Sequence, residues 1–414
     1  MKYLFPQILH IDEVLEALQG RIAPDGEFLV AKREGYTVID YAICIPGPDG
    51  TFPDPMVAPD PKTARDWAIR RECRGLIFDQ SGNLVSRGLH KFFNVNEKDE
   101  TQAHLMPWPP AYITVKEDGS MVRAFRLPGE DTIRWATRMG ETDIAADAGN
   151  YARLARFKGM DYEGLARFCL DKGYTPTFEW CSRSNQVVID HPEDRMILIS
   201  VRDNVSGDYM SRKGMEVGAA IHNVPLVEMR PYKGDLNSMI DHVRCLIGAE
   251  GVVPVYASGH RFKAKGDWYV QIHRAVDGLR QEKDVIAMIL DGKLDDVLPM
   301  LPADVRARVT EYIAEFEGGL IKTGHKLDAL AKAAWQGKDM VPANRGDAFR
   351  WLDSQGLDEY SLGIASRSLD GQPSIERLRR MLPRYLGSRN RVELVRHLWG
   401  GFRWNSRSIL PEGD

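Results

Sequence analysis

A lysine at the end of an apolar segment is the first residue whose surroundings in the sequence suggest chemistry. Lys116 follows Tyr112–Val115 and precedes Glu117, Asp118 and Gly119. The glycine allows the chain to reverse direction sharply after the lysine. A lysine in a partly dry pocket near other cations can lose its proton and become a nucleophile. The four-residue pattern K-x-D-G recurs often by chance, and taken alone it favours a surface hairpin with a solvated lysine.

Six further charged residues, spread along the chain, could serve such a lysine. They are Arg74, Lys91, Glu179 (between Phe178 and Trp180), Glu250 (before an apolar strand), Lys263 and Lys265. Lys263 and Lys265 are two residues apart, so on a strand both face the same side. Each residue alone could be an ordinary surface charge. Together they suit attack of a lysine on the α-phosphorus of ATP, in which cations and a metal neutralise phosphate oxygens and carboxylates hold the metal and the ribose.

The composition excludes several classes of protein. The 414 residues contain no apolar run long enough to span a membrane, and the N-terminal segment lacks a signal-peptide core. The five cysteines form no CxxC pair, which argues against a zinc site or a disulfide framework. A reducing, cytoplasmic setting is therefore predicted.

The elements that must position these residues are short strands followed by helices. Strands are predicted at Gly75–Asp79, Leu84–Arg87, Tyr112–Val115, Met121–Phe125, Thr177–Trp180, Val187–Ile189, Met196–Val201, Val252–Tyr256 and Trp268–Ile272, with a helical insertion over Glu141–Lys172. The connections are too short for repeated crossover helices, so the predicted fold class is α+β with a mainly antiparallel sheet. From Gln281 the apolar spacing becomes helical. Two domains are predicted, residues 1–278 and an all-α domain over 279–414.

The end of the chain is rich in arginine although the net charge of the protein is −4. Ten arginines and three acids lie between Arg367 and Arg407, so this segment carries +7 and the remainder −11. Proteins with such a basic segment often bind a polyanion such as RNA. A helix face exposed to solvent can have the same composition without binding RNA.

Seven segments resemble the bacteriophage RNA ligase 1 type of ATP-dependent RNA ligase, within the covalent nucleotidyltransferase superfamily. They are Glu72–Phe78 (ECRGLIF), Lys91–Glu97 (KFFNVNE), Lys116–Ser120 (KEDGS), Phe178–Trp180 (FEW), Asn185–Ile189 (NQVVI), Glu250–Val253 (EGVV) and Phe262–His273 (FKAKGDWYVQIH). The resemblance extends from about Tyr36 to Asp296, and beyond it only a helical character is shared.

The resemblance implies a nucleotidyltransferase (adenylyltransferase) domain and a role for each matching residue. Lys116 would accept AMP, and ATP would be bound by Tyr41, Arg74, Lys91, Glu179, Lys263 and Lys265. Asp118, Glu250 and Asp295 would help to hold Mg²⁺ or Mn²⁺. The expected partners are RNA ends with a 5′-phosphate and a 3′-hydroxyl, including those of a nicked tRNA. The family also implies a monomer in the cytoplasm of an infected host cell.

Two departures and two alternatives accompany this interpretation. Arg138 stands where relatives often carry a lysine, and no proline follows Phe178–Trp180. An arginine is a planar fork and not a point charge, so a lysine role does not transfer to it directly. A DNA ligase or a GTP-dependent capping enzyme would share Lys116 and both glutamates but would carry a second small β-barrel after Lys265. A non-catalytic RNA-binding protein of the same fold would tolerate loss of the lysines.

Overall fold

A computed structural model of the protein describes residues 5–47, 49–301, 303–336, 344–387 and 389–404. The chain divides into two compact units, one that ends at Val270 and one that begins at Gln271. The predicted boundary at residue 278 and the roles of the two domains stay predictions.

The first unit contains three sheets in which all neighbouring strands are antiparallel. The four-stranded sheet of order β1-β2-β3-β4 consists of Phe28–Arg33, Tyr36–Tyr41, Leu76–Asp79 and Leu84–Ser86. A second four-stranded sheet of order β7-β6-β8-β9 consists of Arg134–Ala136, Ser120–Phe125, Tyr174–Cys181 and Arg195–Asp203. The three-stranded sheet of order β11-β10-β5 consists of Ala264–Lys265, Gly251–Val255 and Tyr112–Lys116.

Among the described residues of the first unit, six helices lie between or beside the strands in sequence, and a seventh contains the boundary between the units. They are α1 Ile11–Ala17, α2 Pro61–Glu72, α3 Asp143–Ala155, α4 Tyr162–Leu170, α5 Arg212–Ile221, α6 Leu236–Arg244 and α7 Asp267–Gly278. Helices α3 and α4 form the predicted insertion over 141–172. Their alanines and Leu165 pack on Phe178, Trp180 and Leu198 of the β7-β6-β8-β9 sheet.

The second unit is helical throughout its described residues. Its helices are α8 Glu282–Leu290, α9 Leu294–Val297, α10 Ala303–Gln336, α11 Arg345–Asp353, α12 Glu359–Ser368, α13 Ser374–Met381 and α14 Arg389–Val395. The long helix α10 buries Val305, Val309, Phe316 and Leu320, the apolar positions that the sequence spaces at helical intervals. The predicted α+β fold class and the helical C-terminal region are confirmed. Within the described part of the chain, no helix is long and apolar enough to cross a membrane.

Two predicted strands are wrong. Trp268–Ile272 belongs to helix α7, in which Tyr269, Ile272 and Val276 are buried at helical spacing. The β-forming residue types of this segment conceal that spacing when only five residues are considered. Val187–Ile189 is an irregular loop, because the N–H groups of Val188 and Ile189 donate to the Asp118 carboxylate and not to a neighbouring strand.

Candidate active site

The three-stranded sheet brings two lysines and one carboxylate together. In its register Lys116 of β5 lies opposite Gly251 of β10, and Gly251 lies opposite Lys265 of β11. Glu250, directly before Gly251, contacts both lysines: its Oε2 is 2.7 Å from Lys116 Nζ and its Oε1 is 2.9 Å from Lys265 Nζ. The carboxylate is buried, whereas the Lys116 side chain keeps 21% of its exposure and can be reached from outside.

Gly251 is required at this point by the close approach of two strands. A Cβ atom built on it would lie 2.0 Å from the carbonyl oxygen of Ala264, and its φ of +153° is unfavourable for other residues. The tight contact keeps β11 against β10, and the Gly266 N–H donates to the Glu250 carbonyl at 3.0 Å. The E-G pair of the sequence therefore places the Glu250 carboxylate between the two lysines.

The electrostatic surroundings keep Lys116 protonated. Burial lowers its pKa, but the carboxylates of Glu250, Glu179 and Asp118 outweigh burial and raise it above the ordinary value for lysine. A protonated amine has no lone pair with which to attack phosphorus. The structure therefore holds Lys116 as an ion-paired ammonium group, which must lose a proton before it can react.

Hydrogen bonds to Asp118 hold the hairpin that follows Lys116 against a neighbouring loop and helix α7. One carboxylate oxygen accepts the N–H groups of Val188 and Ile189 at 2.9 and 2.6 Å, and the other accepts the Tyr269 hydroxyl at 2.6 Å. The main-chain oxygen of Asp118 contacts the His191 ring at 2.6 Å. Because both carboxylate oxygens bind protein donors, Asp118 acts here on the position of the hairpin, and its predicted metal contact stays a prediction.

Gly119 of the K-x-D-G pattern is needed for close packing. A Cβ atom at this position would lie 2.3 Å from the carbonyl oxygen of Trp180. The hairpin thus rests directly on strand β8, which carries Glu179. In β8 the side chains of Phe178 and Trp180 enter the core, so Glu179 between them points to the other face, where its charge raises the pKa of Lys116.

Four cations converge near Lys263. Burial lowers the pKa of Lys263 well below its ordinary value, and Arg74, Lys116, Lys91 and Lys265 lower it further. Lys263 is held by main-chain hydrogen bonds to the segment after Lys91: its N–H donates to the Phe93 carbonyl, and its carbonyl accepts the Val95 N–H. Such a concentration of positive charge in a partly buried place is suited to a polyphosphate.

Lys91 sits among aromatic rings. Its Nζ donates to the Tyr41 hydroxyl at 3.0 Å and lies 4.6, 5.1 and 5.8 Å from the ring centroids of Tyr41, Phe52 and Phe93. Burial raises the pKa of Tyr41, but Arg74, Lys91 and Arg138 together lower it below the ordinary value. The rings hold the Lys91 ammonium group in one place by cation–π attraction.

Arg138 belongs to the same cluster. Its guanidinium lies over the Tyr41 ring at 4.4 Å, and its Nε is 3.4 Å from Oδ2 of the buried Asp40. Burial raises the pKa of Asp40 to about 6, even though Arg138 lowers it. Arg138 is therefore fixed by a ring and a carboxylate, a geometry that uses the planar shape of its guanidinium.

The second unit contains one predicted site residue. Asp295 is exposed on α9 and its role stays a prediction. Among the described residues, no group of three or more His, Cys, Asp or Glu side chains could hold a metal ion. Sequence reasoning missed Asp40, Phe52, Phe93 and Tyr269. The signal for Asp40 was an acid beside the apolar residues Val38 and Ile39 of β2. Phe93 and Tyr269 lie in two of the segments that resemble the ligase family, whereas Phe52 carries no signal beyond its aromatic type.

Comparison with known proteins shows similarity to RNA ligases, both in a family model and in individual relatives. Residues 72–269 match the model of the family described as RNA ligase. A candidate RNA ligase of Thermovibrio ammonificans is 26% identical over 280 residues, which cover 64% of this chain and 71% of that protein. RNA ligase 1 of bacteriophage TS2126 is 25% identical over 305 residues, which cover 68% of this chain and 71% of that protein.

Solved structures give weaker matches. An archaeal ATP-dependent RNA ligase aligns with 64% of each chain at 13% identity and a TM-score of 0.40. An RNA ligase of Naegleria gruberi, solved as a variant with ATP and Mn, aligns with 39% of this chain at 18% identity and a TM-score of 0.31. This chain spans about half the length of the Naegleria chain.

The matched region holds Lys116, Glu250, Glu179, Arg74, Lys91, Lys263 and Lys265, and it excludes Tyr41 and Asp295. From residue 72 to residue 269 the chain therefore resembles the RNA ligases, and the family resemblance predicted from the sequence is confirmed.

Proposed function

We propose that this protein is an ATP-dependent RNA ligase that works through a covalent lysyl-AMP on Lys116. The observation that carries the proposal is the contact of Lys116 with Glu250 and, through it, with Lys265, next to the cations around Lys263. One nucleophile and a binding place for a polyphosphate thus lie together, within the region that matches the RNA ligase family.

The proposed reaction has three displacements at phosphorus. The neutral Nζ of Lys116 attacks the α-phosphorus of ATP and forms a P–N bond, while the P–O bond to the leaving pyrophosphate breaks and the nitrogen loses one proton. An RNA 5′-phosphate then attacks the same phosphorus, breaks the P–N bond and becomes an RNA adenylate. Finally a 3′-hydroxyl attacks the activated 5′-phosphate, loses its proton and releases AMP. Positioning and neutralisation of charge supply most of the acceleration in such transfers.

The surrounding residues have distinct tasks in this proposal. Arg74, Lys91, Lys263 and Lys265 would bind the phosphates, Glu179 the ribose, and Tyr41 would orient Lys91 by the hydrogen bond already present. Arg138, stacked on Tyr41, would add a phosphate contact. Since Lys116 is ion-paired with Glu250, ATP binding must separate this pair before the amine becomes nucleophilic.

The chain provides no carboxylate cluster for a metal among its described residues, which fits an ion that is bound largely through substrate phosphates and water. Glu250 would contact such an ion after ATP binding has separated its two oxygens from the Lys116 and Lys265 ammonium groups. When bound, Mg²⁺ or Mn²⁺ would neutralise charge that develops on the phosphate oxygens. Asp118 would contribute through the position of the hairpin that it holds, and Asp295 as a further acidic residue linked to the metal.

The helices that follow Lys265 favour an RNA ligase over the alternatives. In the part of the chain that the structure describes, no strand follows β11, whereas a DNA ligase or a capping enzyme would carry a small β-barrel there. We propose broken RNA, including a nicked tRNA, as the substrate, and a monomer that acts in the cytoplasm. A phage-infected cell is the proposed setting.

Transfer of radioactive AMP tests the proposal. The purified protein is first treated with pyrophosphate to remove any AMP already attached, and is then incubated with α-³²P-ATP or α-³²P-GTP and Mg²⁺. A labelled, acid-labile band is expected with ATP in the wild type and in the control Lys213→Ala, an exposed lysine on α5, and is expected to be absent in Lys116→Ala. The label should pass to 5′-phosphorylated RNA. A band that persists in Lys116→Ala, or is formed only with GTP, would contradict it.

A further inference from the structure

A groove of about 480 Å³ lies beside strand β5, separate from the lysine cluster. Its walls come from the segment between helices α5 and α6 and from α6 itself, and include Glu228, Met229, Arg230, Tyr232, Lys233 and His242. We call this feature the β5 groove.

The β5 groove is built onto the strand that carries Lys116. Residues 228–230 run antiparallel to β5: the Val115 N–H donates to the Glu228 carbonyl, and the Arg230 N–H donates to the Ile113 carbonyl, each at 2.9 Å. Ile113 precedes Lys116 by three residues, or roughly 10 Å along a strand. The groove therefore begins close to the reactive lysine, on the edge of β5 opposite to β10.

Two permanent cations, Arg230 and Lys233, outnumber the acids in the wall of the β5 groove. Arg230 is half-buried and Lys233 is exposed, and neither forms an ion pair with another described residue. Glu228 is the single acid in the wall. Arg230 also lies near Glu117, the residue after Lys116: burial raises the pKa of Glu117, and Arg230 is among the cations that lower it.

Aromatic rings accompany these cations. The Tyr232 ring packs edge-on against the His242 ring at 5.3 Å, and the Trp108 indole N–H donates to the Gly234 carbonyl at 2.8 Å, which fixes the loop that carries Lys233. Proteins that bind single-stranded nucleic acids combine cations that follow the backbone with rings on which bases stack. The β5 groove has both features.

We propose that the β5 groove binds single-stranded RNA next to the end that reacts at Lys116, with Arg230 and Lys233 at the phosphates and Tyr232 beneath a base. This inference rests on the proposed function and adds to it the place where the RNA strand lies. None of the residues assigned to ATP lines the β5 groove. Substitutions in the groove can therefore weaken RNA binding without changing lysyl-AMP formation.

The test compares the double variant Arg230→Ala/Lys233→Ala with Lys32→Ala/Arg33→Ala, an equal loss of charge at exposed residues of β1. Lysyl-AMP formation from ATP alone is expected to be equal in both variants and the wild type, which also shows that the fold is intact. Affinity for a 5′-phosphorylated single-stranded RNA is measured by fluorescence anisotropy at several salt concentrations. We expect the groove variant to bind about tenfold more weakly or worse. Its plot of log affinity against log salt should be less steep by about 1.4, because two phosphate contacts are lost.

Tyr232 provides a second readout. Tyr232→Ala should weaken RNA binding without changing the salt slope, whereas Tyr232→Phe, which keeps the ring, should bind as the wild type does. Affinity and slope that remain unchanged in the Arg230→Ala/Lys233→Ala variant, or that fall equally in the β1 control, would overturn the β5 groove as an RNA site. Absence of lysyl-AMP in the wild type is a different result in a different assay, and would instead overturn the proposed function.

Discussion

In the proposed reaction, the proton on Lys116 makes the first chemical step depend on pH. The carboxylates of Glu250 and Glu179 raise the pKa of Lys116, so its neutral form becomes more abundant as the pH rises toward that pKa. We expect the second-order rate of lysyl-AMP formation from free enzyme and ATP to increase from neutral to alkaline pH. Glu250→Gln removes the largest contribution that raises this pKa, so its profile should rise at a lower pH, even if its maximal rate is reduced.

The comparison of the two profiles decides this prediction. Single-turnover labelling with subsaturating ATP over the pH range gives the apparent pKa of each protein. A substitution at the exposed Asp147 of α3, to Asn, should leave the wild-type profile unchanged. A profile that is flat in the wild type, or that has the same midpoint in Glu250→Gln, would show that Lys116 ionisation does not limit the step.

The ionised carboxylate of Asp40 lowers the free energy of unfolding but holds Arg138 in place. Burial raises the pKa of Asp40 to about 6, above the ordinary value of 3.8, so its ionised form is disfavoured in the folded protein. The stability that this group contributes is therefore complete below pH 3.8 and is lost as the pH rises through about 6. Asp40→Asn, which carries no charge, should raise the free energy of unfolding at neutral pH by at most about 3 kcal/mol.

The same variant should weaken ATP binding. Asp40 holds the Arg138 guanidinium at 3.4 Å, and without that charge Arg138 is less firmly placed over Tyr41. Urea unfolding should show that the gain in stability shrinks as the pH falls through about 6 and is absent below 3.8. The KM for ATP in lysyl-AMP formation should be raised at neutral pH. A variant that is less stable than the wild type at neutral pH, with an unchanged KM, would refute this account of Asp40.

At the scale of the elements, a buried ion cluster joins helix α2 to strand β9. Glu72, at the end of α2, accepts two hydrogen bonds from Arg202 at 2.6 and 2.8 Å and one from Arg87 at 3.1 Å. Burial raises the pKa of Glu72, but Arg202 and Arg87 lower it below its usual range. The carboxylate therefore contributes stability above its unfolded pKa, and this contribution is lost as the pH falls through the lower folded value.

Glu72→Gln should be strongly destabilising, because it leaves two buried guanidinium groups without their counter-charge. Breaking a buried ion pair in this way costs about 3–5 kcal/mol. Urea denaturation at neutral pH measures the change, and Asp190→Asn, which breaks an exposed pair with Arg183, should change it far less. Equal effects of the two substitutions would mean that the cluster does not support the fold.

The sequence could predict the elements of the site better than their tertiary surroundings. Strands β5, β6, β8 and β10 follow from alternating residues and glycine turns, and they were predicted within a few residues of their bounds. The contact of Glu250 with two lysines depends on the register of three strands, which are distant in the sequence. The sequence did not predict that Asp118 holds the hairpin in position. Its hydrogen-bond donors, the N–H groups of Val188 and Ile189, come from a loop that was predicted to be a strand.

At the scale of the whole molecule, the arginines near the C-terminus differ in their surroundings: some pair with acids and others face solvent. Arg396 is buried and pairs with Glu282 and Glu393, and Arg379 pairs with Glu317, so these two stabilise the second unit. The sequence alone cannot distinguish such residues from cations that face solvent. Arg407 lies outside the described residues, and so it adds nothing to this distinction.

The remaining arginines on α13 form one face. Arg377, Arg380 and Arg384 are spaced three and four residues apart on α13 and its short continuation, so they project from the same side of the helix. Among the described residues, Arg380 and Arg384 are exposed and form no ion pair. This face has the charge and the shape to follow a phosphate backbone without reading its sequence.

Arg380→Ala/Arg384→Ala should therefore weaken the binding of a structured RNA such as a nicked tRNA, and slow its sealing, without changing lysyl-AMP formation. The matched control is Arg345→Ala/Arg350→Ala on α11, where both arginines already pair with acids, Asp370 and Asp347. Loss of two phosphate contacts should make the salt dependence of binding to duplex RNA less steep by roughly 2. If the α11 control weakens binding as much, net charge and not the α13 face determines RNA affinity. If lysyl-AMP formation falls in parallel with sealing, the second unit acts on the first chemical step and not on RNA.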